Sequence, residues 1–229
     1  MKIMKTIIEK IDKNQKNTNI IREAGRILKE GGLVAFPTET VYGLGADALN
    51  EDAAKKIYAA KGRPSDNPLI IHITNMKALD KIVSEVPEKA VKVAEKYWPG
   101  PLTMIFNKSD IVPYGTTGGL DTVAVRMPVD EIAREVIDAG GGYIAAPSAN
   151  TSGRPSPTTA QHVAEDLTGR VDMIVDGGAV EIGVESTILD VTVEPPMILR
   201  PGAITKEMFE EVIGEVTVDR TLIMHQKQI

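Results

Sequence analysis

Ile20-Ile21-Arg22-Glu23-Ala24-Gly25-Arg26-Ile27-Leu28-Lys29-Glu30-Gly31-Gly32-Leu33-Val34-Ala35-Phe36 sets the architecture of this chain. Ile20, Ile21, Ala24, Ile27 and Leu28 recur at helical spacing, Gly31-Gly32 is a stop signal, and Leu33 to Phe36 reads as a short buried strand. Upstream, Lys2, Ile3, Lys5, Ile7, Ile8, Lys10 and Ile11 alternate as in an edge strand with its lysines outward. Downstream, Pro37 to Gly45 reads as a loop, and Asn50 caps a helix that runs to about Ala60 and delivers Lys61 at its C-terminal edge. Strands are expected at 69–73, 102–106, 122–127, 143–146, 171–175, 187–193 and 197–199. Helices are expected at 77–83, 87–98, 129–139 and from a Thr158 cap to Gly169, with a Gly-rich loop at 115–119. Strands and helices alternate for two thirds of the chain and strands dominate the rest, so the expected class is α/β, with a twisted mixed sheet flanked by helices. Function in such folds gathers at strand carboxyl ends.

The 229 residues, 42% of them hydrophobic, can bury a real core, and one domain is the simpler reading. Thirty-two acidic residues against 26 basic ones give a net charge of -6 and a pI near 5.2. That balance predicts no strong direct binding to nucleic acid or anionic membrane, so an anion site must be a local cluster of Lys and Arg. The absence of Cys removes disulfides, thiolate metal sites and Cys nucleophiles, and it fits a reducing compartment. No signal peptide or membrane span is legible, and a cytoplasmic protein is expected.

Covalent and metal chemistry are nearly removed as well. Only His72, His162 and His225 exist, none within helical reach of another, and neither Ser148 nor Ser186 sits in a Gly-x-Ser-x-Gly turn. No metal ligands are expected. What remains is a set of loop-borne cations and hydroxyls. In Lys61-Gly62-Arg63-Pro64-Ser65-Asp66-Asn67-Pro68-Leu69 two cations flank a glycine; they either meet a polyanion or satisfy a helix end. Ala146-Pro147-Ser148-Ala149-Asn150, extended by Ser152, Arg154 and Ser156, is either a small-residue cradle for phosphate or base, or a plain surface loop. Arg126 and Arg200 each end a strand just before or near a proline, placed for a carboxylate or phosphate or for a surface salt bridge. Glu39, between Thr38 and Thr40, is a substrate-positioning or a capping carboxylate.

Taken in order, Phe36-Pro-Thr-Glu-Thr-Val-Tyr-Gly-Leu-Gly, Lys61-Gly-Arg-Pro with Asn67-Pro-Leu, Trp98-Pro-Gly-Pro-Leu-Thr, Arg126-Met-Pro, Ala146-Pro-Ser-Ala-Asn-x-Ser-Gly, Glu185-Ser-Thr and Leu199-Arg-Pro-Gly resemble the YrdC-type threonylcarbamoyl-AMP synthases. The resemblance spans about residues 4 to 213. It implies a single YrdC-like domain at 1–214 with a concave ligand pocket, a tail at 215–229 and no second domain, either a single-domain form or a shortened long form. It also implies an enzyme that joins L-threonine, bicarbonate and ATP, with Mg2+, into threonylcarbamoyl-adenylate, which feeds the tRNA threonylcarbamoyl-transferase machinery. By the same resemblance threonine would be held by Thr40, His72, Arg126, the backbone at Ala146, and Ser186. ATP would contact Arg63, Asn67, Thr122, Ser148, Ser156 and Arg200, with Lys61 and Arg63 as the catalytic cations.

Elementary chemistry agrees with that implication. The carbamate oxygen must attack the α-phosphorus in line with departing pyrophosphate, which calls for positioning and charge neutralisation and for no protein nucleophile. Two rival readings stand beside it: a non-catalytic RNA-binding module of the same fold, disfavoured by the acidic balance and by only one Trp, five Tyr and three Phe, and a carbamoyl-phosphate-using transferase, which would bring Cys-bearing accessory segments.

Overall fold

The computed structural model describes residues 4–221. Lys2 and Ile3 of the alternating N-terminal stretch, and residues 222–229 of the tail with His225, lie outside the described residues. In chain order the elements are β1 (Ile7–Lys10), α1 (Thr18–Lys29), β2 (Val34–Pro37), β3 (Tyr42–Asp47), α2 (Glu51–Lys61), β4 (Ile70–His72), a 3-10 turn (Met76–Ala78) leading into α3 (Leu79–Ile82), α4 (Glu88–Tyr97), β5 (Leu102–Asn107), α5 (Tyr114–Thr117) and β6 (Thr122–Arg126). After these come α6 (Glu131–Ala139), β7 (Ile144–Ala145), α7 (Ala160–Leu167), β8 (Met173–Asp176), β9 (Thr187–Asp190), β10 (Met197–Arg200), α8 (Lys206–Ile213) and β11 (Thr217–Val218).

The strands form one sheet in the order β1-β8-β2-β3-β7-β4-β6-β5-β9-β10-β11. β4 and β6 run parallel, as do β5 and β9, whereas β5 and β6, and β2 and β3, are antiparallel, so the sheet is mixed as expected. Successive residues of β2 explain the layering. Val34 and Phe36 pack with Ala24 and Leu28 of α1 and Val136 and Ile137 of α6, while Leu33 and Ala35 join the larger core on the opposite side. A strand buried on both faces needs helices on both, because its side chains alternate. α1 and α6 approach closely at Gly25, where a Cβ would stand 2.5 Å from the Ala139 carbonyl oxygen.

Several local expectations are corrected. Pro37 to Gly45 is half loop: Thr38 to Val41 turns the chain and Tyr42 onward returns as β3, its glycines admitted because neighbouring strands press on that face. The last third, read as richer in strands, also carries α8, capped by Thr205, which was not expected. Thr159 rather than Thr158 caps α7, through its hydroxyl and the His162 N–H, and the helix expected from Val129 starts at Glu131 behind an Asp130 cap. The Gly-rich loop carries the single turn α5. Thr217–Val218, inside the stretch read as a tail, pairs parallel with β10.

Candidate functional site

Register builds the site. β6 alternates strictly, with Val123 and Val125 in the core and Thr122, Ala124 and Arg126 on the other face. Its partners bring two rows together: Ile70 of β4, Ala124 and Ile105 of β5 in one, His72, Arg126 and Thr103 in the next. All of these but the fully buried Thr103 floor a cavity of about 280 Å³ closed by Thr40, Val41, the Ala146 to Ser148 segment, Arg63, Asn67, Glu185, Ser186, Ile188, Leu199 and Arg200. Apolar side chains make up much of the lining and three arginines stand among them, which is the composition of a small-ligand pocket with a few placed polar groups.

Arg126, 4% exposed, anchors the polar row. One of its terminal nitrogens donates to Thr40 Oγ1 at 2.8 Å, and the other pairs with Glu39 Oε1. Glu39 Oε2 in turn accepts the backbone N–H groups of Val129 at 3.0 Å and Asp130 at 3.2 Å, just before α6. Glu39 therefore positions Arg126 and pins the chain ahead of the Asp130 cap, and Arg126 is no surface salt bridge. Burial alone would raise the Glu39 carboxyl, but the Arg126 charge and the hydrogen bonds outweigh it and hold the group below its ordinary range. His72 lies beside Arg126 with Nδ1 3.1 Å from the Ile70 carbonyl oxygen; burial, then the Arg126 charge, push it down to about 3. A neutral His72 that donates from Nδ1 presents Nε2 as an acceptor. Ser186 and Thr103 share a hydroxyl contact of 2.7 Å at the end of the same row.

The second cation group gathers at Arg200. Its Nε donates to the Ser186 carbonyl at 2.9 Å, one terminal nitrogen to Ser186 Oγ at 3.1 Å, and the other to Glu185 Oε2 at 2.6 Å. Arg63 donates to the Pro68 carbonyl at 2.9 Å, and desolvation lowers its pKa. Among the described residues, Arg63 Nε and Arg126 Nε are buried without a partner in the chain. Both belong to residues that line the cavity.

Of the residues singled out from sequence, Thr40, Arg63, Asn67, His72, Arg126, Ala146, Ser148, Ser186 and Arg200 line this one cavity. Three do not. Thr122 starts β6 on the cavity face, opposite Asn107 and beyond the lining. Ser156 reaches the cavity wall through Glu185, donating to Oε1 at 2.9 Å. Lys61, expected to project from its loop, is 3% exposed and turned beneath the 147–151 segment, its ammonium donating to the carbonyls of Ser148 and of Asn150, the latter at 2.8 Å. Burial and the Arg63 charge push it down to about 8. It fastens the end of α2 to the loop that carries Ser148. Glu185 and the apolar floor were missed as site residues; alternation in β6 hinted at the floor, but Thr103, which backs Ser186 from outside the lining, emerges only from cross-strand register.

Among the described residues no three His, Asp or Glu side chains are arranged to hold a metal, and the cavity's two neighbouring carboxylates, Glu39 and Glu185, are each paired with arginine. The donor set fits a metal carried in on ligand oxygens, not one caged by the protein.

A model of the Sua5, YciO and YrdC proteins, described as "Telomere recombination", matches residues 26–202. The chain belongs to the Sua5/YciO/YrdC family. Relatives in the family named threonylcarbamoyl-AMP synthase include one from Pyrococcus abyssi, 58% identical over 198 residues that make up 86% of this chain and 58% of that protein. Another, from Bacillus subtilis, is 52% identical over 223 residues, 97% of this chain and 64% of that protein. The crystal structure of P. abyssi Sua5 complexed with L-threonine is similar at a TM-score of 0.88 and 53% identity, over 96% of this chain and 64% of that one. The chain thus spans less than two thirds of the length of these family relatives.

Proposed function

We propose that this chain forms L-threonylcarbamoyl-AMP and pyrophosphate from L-threonine, bicarbonate and ATP, and that its product feeds the cytoplasmic machinery that modifies tRNA. The observation that carries the reading is one cavity with two arginine groups: Arg126 beside His72, and the Arg63–Arg200 pair beside Ser148, with Ser186 between them. Family membership, relatives named for this activity and a relative's complex with L-threonine support it.

In this reading Arg126, held by Glu39 and Thr40, receives the amino acid carboxylate, and neutral His72 offers Nε2 to the hydroxyl or the amine. The amine in its free-base form adds to bicarbonate and water leaves, giving a carbamate. A carbamate oxygen then bonds to the α-phosphorus as the bond to the β-phosphate bridge breaks and pyrophosphate departs. Arg63 and Arg200 neutralise the charge that builds on the phosphates, so the chain acts by orientation and preorganised charge. Magnesium, if carried in with ATP, would be held by phosphate oxygens and water and would supply further charge neutralisation. Lys61 would support this from behind, by fixing the Ser148 loop.

The test is incubation with ATP, magnesium and carbon-13 bicarbonate. The reading expects labelled carbon in an AMP-linked product only when L-threonine is present; label appearing without threonine, or none at all, would overturn it.

A further inference from the structure

Glu185 has no part in the reaction just described, yet it occupies the centre of the cation cluster. It stands between β8 and β9, on a segment pinned by Gly183 N–H to the Thr40 carbonyl at 3.0 Å and by Val180 N–H to the Thr158 carbonyl at 3.0 Å. Its carboxylate clasps Arg200 Nη1 with one oxygen at 2.6 Å and takes the Ser156 hydroxyl on the other at 2.9 Å. Its negative charge also acts on Lys61 and Arg63. Arg200 and Ser156, 44 positions apart, are both fastened to this one side chain. The Glu185 side chain keeps 39% of its exposure and lines the cavity, so it can leave without the core opening.

A carboxylate and a phosphate cannot share one arginine edge without like-charge repulsion, so whichever ligand arrives must replace Glu185 or be repelled by it. A single phosphate offers Arg200 little more than the carboxylate it displaces. A polyphosphate brings additional charge that Arg63 also collects. We propose that Glu185 is a specificity-determining residue: its carboxylate fills the Arg200–Ser156 clasp in the free chain and gives way to an entering polyphosphate, so that ligands with several charges are admitted and a single phosphate is held off. This rests on the reading of the cavity as an ATP site.

Titration calorimetry at low salt with ATP, tripolyphosphate and AMP, with and without magnesium, tests it on the wild-type chain and on Glu185→Gln, which keeps the shape and removes the charge. Partly exposed ion pairs are worth up to about a fivefold change in equilibrium constant, and AMP is expected to bind about fivefold tighter to Glu185→Gln, with the preference for ATP over AMP narrowed. Glu185→Asp, which retains the charge, should keep the wild-type discrimination. Unchanged or weaker AMP binding in Glu185→Gln would show that the carboxylate aims Arg200 and does not compete, and an effect present only with magnesium would assign Glu185 to the metal; either overturns the proposal. If the wild-type chain binds neither ATP nor tripolyphosphate, the nucleotide reading falls with it, whereas wild-type ATP binding with an unchanged ATP-to-AMP ratio in Glu185→Gln sinks this inference alone.

Discussion

Glu39→Gln is the substitution that most sharply separates a positioned arginine from a merely buried one. The glutamate serves two sets of donors, the Arg126 guanidinium on Oε1 and the Val129 and Asp130 N–H groups on Oε2. An amide has one oxygen. In one orientation its NH2 faces the guanidinium, and in the other it faces the two backbone N–H groups, so one set always meets a donor. Breaking a buried ion pair by removing one partner costs about 3–5 kcal/mol, and because Arg126 keeps Thr40 and the amide still serves one set, the expected loss is about 3 kcal/mol. In a chain of this size each kcal/mol lowers Tm by about 2–4 °C, so the melting midpoint at neutral pH should fall by about 6–12 °C. The sign with pH follows from the depressed carboxyl: the pair stabilises the fold above the unfolded glutamate value of about 4.3, and that contribution is lost as pH falls through the lower folded value. The acid limb of the wild-type stability curve should therefore be steeper than that of the variant. Thermal scans from pH 7.5 to pH 3 read both effects. A variant midpoint within about 2 °C of wild type, with parallel acid limbs, would show that the Glu39 charge does not hold Arg126 in the fold.

Three further outcomes follow from the same geometry. Arg126→Lys keeps the charge and loses the fork, and should raise the KM for threonine about 10- to 100-fold in steady-state kinetics while leaving that for ATP nearly unchanged; equal rises in both would contradict the two separate arginine groups of the cavity. His72 stays neutral in the fold while the unfolded chain takes up a proton below about pH 6.5, so urea midpoints should decline with acidity less in His72→Gln than in wild type between pH 6.5 and 4.5; equal slopes would sink this account of His72. Gly118→Ala forces a side chain onto a backbone at φ +64°, with its Cβ 2.7 Å from the Asp66 carbonyl oxygen, and should cost about 1–3 kcal/mol while disturbing the turn that presents Asn67; an unchanged midpoint and unchanged ATP affinity would contradict it.

Much of the scaffold was legible because its signals are local. The spacing of Ile20 to Leu28, the Asn50 cap and the alternation in Thr122 to Arg126 act within a few residues, and each produced the expected element. What escaped was set by tertiary context. Tyr42 to Asp47 holds two glycines that argue against a strand, yet β2 and β7 on either side impose one. The site was legible as a list of residues carried by motifs, and nine of them do meet in one cavity. Their partners were not. Nothing in Lys61-Gly-Arg-Pro says that the lysine turns inward to two carbonyls 87 and 89 positions away, and nothing in Glu185-Ser-Thr says that the glutamate holds Arg200. Such pairings depend on how loops cross over the sheet, which short-range pattern does not encode.

The proposed coupling of threonine, bicarbonate and ATP in one cavity is tested by pyrophosphate release from the purified chain with ATP and magnesium, each other component being omitted in turn. Release should require both L-threonine and bicarbonate, and Arg126→Lys should suppress it at fixed threonine. Release that persists without threonine, or no release from a chain that binds neither ATP nor threonine, would contradict that coupling.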